Sequence, residues 1–171
     1  MLRMLPYYFD QVTMLCFIVK VRELMKALTR KCQYALRALY CLAHHYGNGP
    51  IQVSSISSLS NAPPEFLETI LLELKNVGLL ESRRGRRGGY ALVVPPDQVS
   101  VGSVIRLMDG PLLNLPCLDE GSARPCADCR EITRCETRFF MTQVHEAAAA
   151  ILDKISLASA CRQVEYLGCR S

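Results

Sequence analysis

The 171-residue chain is half hydrophobic and 21% charged, which excludes a disordered tail and allows one domain with a core plus an extra helix or two. Its net charge is only +4, yet Arg83, Arg84, Arg86 and Arg87 fall within five residues, a local basic patch that suits nucleic acid better than a membrane. The apolar run 12–21 is too short to span a bilayer and is interrupted by Lys20, no signal peptide with a small-residue cleavage site stands out, and the nine cysteines are odd in number; a cytoplasmic protein is expected, where clustered cysteines bind metal or sense redox state.

Residues 1–24 lack a clear helical period and stop just before Met25. They are expected to be an extension ahead of a native start at Met25, or else a short extra helix. From Thr29, a residue suited to capping, Tyr34, Ala35, Ala38, Leu39, Leu42 and Ala43 recur at three- and four-residue spacing and predict a helix. Gly47-Asn48-Gly49-Pro50 stops it. Val53, Ile56 and Leu59 mark a second, short helix. After Ser60-Asn61-Ala62, Pro63-Pro64 opens a third, with Phe66, Leu67, Ile70, Leu71 and Leu74 facing inward and an end at Gly78. Two short helices joined so closely read as helix-turn-helix.

Leu79–Ser82 and Tyr90–Val94 can pair as strands around the arginine-glycine loop, which predicts a β-hairpin wing ended by Pro95-Pro96. Val101, Val104, Ile105 and Met108 mark another helix, stopped by Gly110-Pro111. Beyond the cysteine loop, a long helix runs from Glu136 to about Ile155. Its apolar stripe is Phe139, Phe140, Val144, Ala147, Ala148, Ile151, Leu152 and Ile155.

Two groups of residues carry chemistry. The first reads DNA. A recognition helix presents its N-terminal residues to base edges, here Glu65, Glu68 and Thr69, with Pro64 fixing the entry. Carboxylates there accept from cytosine amino groups and repel phosphate, although they are also ordinary acids of a helix's first turn. In the wing, glycines let the backbone approach DNA while Arg84 and Arg86, then Arg83 and Arg87, reach phosphate or the narrow minor groove.

The second group is Cys117, Cys126, Cys129 and Cys135, separated by eight, two and five residues. Soft thiolates hold zinc or iron–sulfur clusters, and four complete a site without help. The spacing lacks the second close pair of a zinc ribbon and fits an iron–sulfur centre at least as well. Arg124, Arg130 and Arg134 flank the loop and are expected to lower the thiol pKa values. Cys32 and Cys41 are expected in the core, Cys16, Cys161 and Cys169 are scattered, His44 and His45 read as surface or packing residues, and His145 is at most a backup ligand.

These motifs, in order, resemble the Rrf-two family of bacterial winged-helix regulators, which includes iron–sulfur and nitric-oxide sensors. The likeness covers about residues 28–158. It lies in Leu28-Thr29 with Tyr34–Leu39, Phe66-Leu67-Glu68, Gly78-Leu79-Leu80, Arg84-Gly85-x-x-Gly88-Gly89-Tyr90 and Asp109-Gly110-Pro111. The resemblance implies a mainly α fold with a small β-hairpin wing: a winged helix-turn-helix over 28–111, a cluster-binding loop over 112–135, a dimerisation helix over 136–158 and a tail over 159–171, after an extension over 1–27. It implies a homodimer on palindromic promoter DNA and a 2Fe–2S or 4Fe–4S cluster, with Cys117, Cys129 and Cys135 as the equivalents of the family's three ligands. This chain departs from the family in a longer loop, in Arg138 where a histidine is usual, and in Gln33 where some members place a ligating aspartate, so Cys126 becomes the candidate fourth ligand. The rivals are a zinc-stabilised or thiol-switch regulator of the same fold and, behind these, a small cysteine-dependent oxidoreductase. No Gly-rich nucleotide loop or acid/base constellation supports an enzyme.

Overall fold

The computed structural model describes residues 28–168 apart from 87, 114, 119, 120, 122, 127, 128 and 130. The expected extension over 1–27 therefore lies outside the described residues, as do Arg87, Arg130, Cys16 and Cys169.

Helix α1 spans Arg30–His44. Thr29 opens it: its side-chain oxygen accepts from the Cys32 backbone N–H at 3.2 Å. Cys32, Ala35, Leu36, Ala38, Leu39, Cys41 and Leu42 form its buried face. Helix α2, Val53–Ser60, ends at Asn61 in the left-handed region (φ 49°), and helix α3, Pro64–Asn76, begins with proline in its first turn. Both pack on α1. Lys31 of α1 also pairs with Glu73 of α3 at 2.7 Å.

Phe66, expected inward, is 58% exposed, and Leu59, which marks α2 in the sequence, is 64% exposed. On α3 the buried stripe is Leu67, Ile70, Leu71 and Leu74, an i, i+3, i+4, i+7 set that already fills the inner face. Phe66 lies one residue, about 100° of helix, off that stripe. Its ring instead stands 6.2 Å from that of Tyr34.

The wing is antiparallel: β1, Leu80–Arg83, pairs with β2, Gly89–Leu92, Leu80 opposite Leu92 and Arg83 opposite Gly89. The ladder is thus displaced by about a residue from the strands read in sequence. A third segment joins it, since Ile51 and Tyr90 exchange two backbone hydrogen bonds of 2.9 Å. Gly89 is required there: its φ is +147°, and a Cβ would sit 2.0 Å from the Ile51 carbonyl oxygen.

Helix α4, Val101–Asp109, is capped by Ser100. Its last residue returns to the start of α1. Asp109 Oδ2 accepts from the Thr29 backbone N–H at 2.8 Å, and the Thr29 hydroxyl donates to the other carboxylate oxygen. Two 3₁₀ turns, Pro116–Leu118 and Ile132–Arg134, punctuate the cysteine loop.

The long helix α5 is Glu136–Lys154, followed by α6, Leu157–Gly168. The chain breaks at Ile155, whose backbone is extended, where the sequence pattern ends the long helix; Ser156 then restarts it by accepting from the Ser159 N–H at 3.1 Å, and the second helix takes up residues expected to be a tail. The break is held by neighbours: Val101 donates to Ile155 at 2.8 Å, Leu157 to Val99 at 2.9 Å and Ala158 to Pro96 at 3.1 Å, all through backbone groups. Leu157 is fully buried and α6 packs on α1. Arg106 of α4 pairs with Asp153 of α5 at 2.5 Å, beside Gly102, where a Cβ would meet the Asp153 carboxylate at 2.2 Å.

Gly89→Ala should lower the unfolding free energy by roughly 1–3 kcal/mol, and with it the urea midpoint, because the new methyl must break the Ile51–Tyr90 pairing. An unchanged midpoint would show that this pairing does not hold the wing.

Candidate nucleic-acid interface and cysteine loop

Burial of one face of α3 fixes what the other presents. Glu65, Glu68 and Thr69 are all exposed, next to the exposed Phe66 that the sequence reading had placed in the core. The wing tip is built by backbone. Gly88 N–H donates to the Gly85 carbonyl at 2.9 Å, and a Cβ on Gly88 would lie 2.2 Å from the Arg83 oxygen. Arg83 folds back onto Glu81 at 2.9 Å. Arg84 and Arg86 are exposed, and among the described residues neither pairs with a carboxylate. Gln52, which carried no motif, matters here: its side-chain amide donates to the Arg86 carbonyl at 2.9 Å and ties the wing tip to the start of α2. A lone polar residue before a weakly capped helix gave no sequence signal for that contact.

The four loop cysteines are not equivalent. Cys117 is buried in its 3₁₀ turn, Cys126 is exposed, and Cys129 and Cys135 are half-buried. Cys135 is the N-cap of α5, its sulfur accepting from the Arg138 backbone N–H at 3.4 Å. The Arg138 side chain donates through Nε to the Cys117 carbonyl at 3.0 Å. One residue thereby ties the first cysteine to the last. Cys129 donates its backbone N–H to the Cys126 carbonyl at 3.0 Å.

The thiol of Cys129 is pushed up, first by desolvation, then by the neighbouring Cys126 and Cys135 sulfurs and a thiol hydrogen bond with Cys126; the Glu131 backbone pulls the other way. This overturns the expectation that flanking arginines lower it. Arg134 is turned toward Glu131, at 3.6 Å, and Arg124 is exposed. Cys126, Cys129 and Cys135 thus share one electrostatic neighbourhood, and no observation adds the Cys117 sulfur to it. Among the described residues no three Cys, His, Asp or Glu side chains are already arranged around one metal position.

Elsewhere, Cys32 and Cys41 are core residues, as expected. Burial, then the charge and hydrogen bond of Asp109, push the Cys32 thiol up to about 12. His44 and His45 are exposed, and His45 Nδ1 lies 3.0 Å from the Cys41 carbonyl. His145 is half-buried on α5, and its Nδ1 is buried without a hydrogen-bond partner among the described residues. No residue of α5 is buried, and Phe139, Phe140, Val144 and Ile151 are each at least half exposed along it.

Residues 28–163 match the Rrf2 family, described as an iron-dependent transcriptional regulator. The chain belongs to the Rrf2 family. It is 37% identical over 133 residues to an HTH-type transcriptional regulator named rrf2-like from Rhodobacter capsulatus, covering 76% of this chain and 89% of that one. Among solved structures it is similar to CymR, the global cysteine regulator of B. subtilis (TM-score 0.64, 28% identity, 80% of this chain and 96% of that one). It is equally similar to T. potens IscR (TM-score 0.64, 27% identity, 82% and 89%). The mainly helical fold with its two-stranded wing is therefore that of an Rrf2 winged-helix regulator, and the relatives are named as regulators of transcription rather than as enzymes. No helix among the described residues of this Rrf2 chain is long and apolar enough to cross a membrane.

Stability linked to the Cys32 proton is complete below about pH 9, where folded and unfolded chains both hold it, and is lost as pH rises toward about 12. Urea titrations of Cys32→Ala should show a shallower fall over that window than the parent chain. Equal slopes would remove Cys32 as a contributor.

Proposed function

We propose that this Rrf2 regulator is a cytoplasmic homodimer that binds promoter DNA through α3 and the wing, with its grip modulated by an iron–sulfur centre in the cysteine loop. The observation that carries the DNA reading is the pair Arg84 and Arg86, exposed and without carboxylate partners among the described residues, on a tip that only glycine can build. Glu65, Glu68 and Thr69 face outward where base edges would lie, so they supply selectivity while the wing arginines, Arg83 and Arg87 among them, supply charge. The exposed apolar side of α5 supports the homodimer, because a helix with no buried residue and several half-exposed large side chains has an incomplete environment alone.

For the cofactor, the donor chemistry fits. Cys126 and Cys135 lie near enough to Cys129 to act on its charge, and a cation bound among thiolates takes the place of their protons. Cys117, tied to the same helix end by Arg138, completes the set of four. Bound there, an iron–sulfur centre supplies thiolate-held iron that responds to electrons, to nitric oxide or to iron supply. The chain's part is mechanical. Cys135 caps α5, so whatever holds its sulfur also holds the first turn of that helix. The other end of α5 is bonded to residues 99–101, beside the DNA-reading body. Coupling of this kind is worth ~1–3 kcal/mol, or about 5–150-fold in DNA affinity. The second reading, a zinc-stabilised or thiol-switch regulator, is supported by the likeness to CymR, the global cysteine regulator of B. subtilis.

Purified without air, the protein should be coloured and carry acid-labile sulfide, and Cys129→Ala should lose both. A colourless parent chain from iron-replete cells would overturn the iron–sulfur reading, and zinc without sulfide would favour the second one. Arg84→Ala should weaken promoter binding and lower the slope of log affinity against log salt by about 1. An unchanged slope would mean that Arg84 meets no phosphate.

A further inference from the structure

We propose that Leu72 determines base specificity in this regulator: it stands on the outward stripe of α3 and meets the 5-methyl group of a thymine in the major groove of the bound DNA. This role rests on the DNA reading above and deepens it, by naming a base edge and the side chain that selects it.

Three observations carry it. The first is position. Glu65, Glu68, Thr69, Leu72 and Asn76 recur at i, i+3, i+4, i+7 and i+11 along α3, and all five are exposed. They form the side of the helix opposite the buried Leu67, Ile70, Leu71 and Leu74. Glu65 and Leu72 are two turns apart, about 10.5 Å of helix against a groove roughly 12 Å wide, so one groove can hold both. As in any α-helix, the Cα–Cβ bond of Leu72 tilts toward the N-terminus, the end that meets base edges. The second is chemistry. Every other member of the stripe is polar, whereas Leu72 is a leucine left 50% exposed. The thymine methyl is the one apolar group that the bases present in the major groove. A leucine set against an amino group, a ring nitrogen or a carbonyl would strip it of water and return no hydrogen bond. The third is surroundings. Phe66, the other large exposed apolar side chain of α3, stands off the stripe, with its ring 6.2 Å from that of Tyr34. Strand β1 packs on α3 and leads to Arg84 and Arg86, which have no carboxylate partner among the described residues. The body that presents Leu72 thus also presents the cations that hold a polyanion.

The contact selects more than it holds. Affinity comes from the wing arginines, because the carboxylates of Glu65 and Glu68 repel phosphate. Burial of one methyl group against Leu72 adds roughly 4-fold to binding at each half-site. Uracil, which differs from thymine only in lacking that methyl, forgoes this factor and nothing else. Cytosine does worse, since its amino group would face Leu72 without an acceptor.

The test uses the full chain, as purified without air, and a pool of random duplex DNA. Sequencing of the bound duplexes gives the preferred site, and deoxyuridine then replaces each of its thymines in turn. At one thymine of each half-site the parent chain should bind the deoxyuridine duplex roughly 4-fold more weakly. Leu72→Ala should bind both duplexes alike, and Leu72→Gln, of similar length, should do the same. Leu72→Met should keep the preference for the methyl. Leu72→Ala should also keep the parent's slope of log affinity against log salt, because no phosphate contact is lost. Its urea midpoint and its sedimentation without DNA should match the parent's, which separates a lost base contact from a damaged fold or subunit interface. The role of Leu72 is overturned by a preferred site with no methyl effect at any thymine. It is equally overturned by an undiminished methyl effect in Leu72→Ala and Leu72→Gln, or by loss of the dimer in those variants. Each of these results leaves the DNA reading standing, because the pool has yielded a site. A pool that yields no preferred sequence overturns the DNA reading, and this role with it.

Discussion

Every part of the molecule that would meet DNA rests on the buried face of α1. Helices α2, α3, α4 and α6 and the second wing strand all pack against that one helix. Cys32, Ala35 and Ala38 keep its surface low, so neighbours approach closely, while Leu39 and Leu42 fill the space between them. Burying a leucine is worth about 1.5–3 kcal/mol, against a total stability of roughly 5–15 kcal/mol for a domain. The spacing between α3 and the wing therefore depends on a few side chains that contact no ligand.

The same helix links the reading body to the cysteine loop. Asp109 ends α4 just before that loop begins, and its carboxylate holds the first turn of α1 through Thr29. Cys32 lies against the same carboxylate. At the loop's other end, Cys135 caps α5 and Arg138 reaches back to Cys117. The loop thus leaves and re-enters the fold at two helix ends, each fastened by hydrogen bonds to groups that would otherwise lack partners. A change inside the loop meets ordered structure at both exits.

Much of this architecture was legible in the sequence. The period of α1, the prolines ahead of α3, the glycines of the wing and the Asp109-Gly110-Pro111 stop are local signals, and the elements follow them. The inward face of α3 was misread at Phe66 because hydrophobicity alone does not say which side of a full stripe a large ring falls on. The end of α5 near Ile155 was legible, but the restart as α6 was not, because neither proline nor glycine marks the break between them. Its cause is tertiary, a set of backbone bonds to residues 96–101, and only Ser156, three residues before Ser159, hinted at a new cap. The thiol loop was legible as chemistry and not as geometry. Spacing located four sulfurs, but it could not reveal that Arg138 would tie down one end or that Cys129 would be raised rather than lowered.

The break between α5 and α6 acts as a fulcrum. The 19 residues of α5 make a rigid arm of about 28 Å, bolted at its base to Val99 and Val101 and free of burial along its length. A pivot of 5° at the base sweeps the far tip, with Cys135 on it, through about 2.5 Å. Read in reverse, a displacement of that size at the tip becomes a small turn at the base, close to the root of the wing.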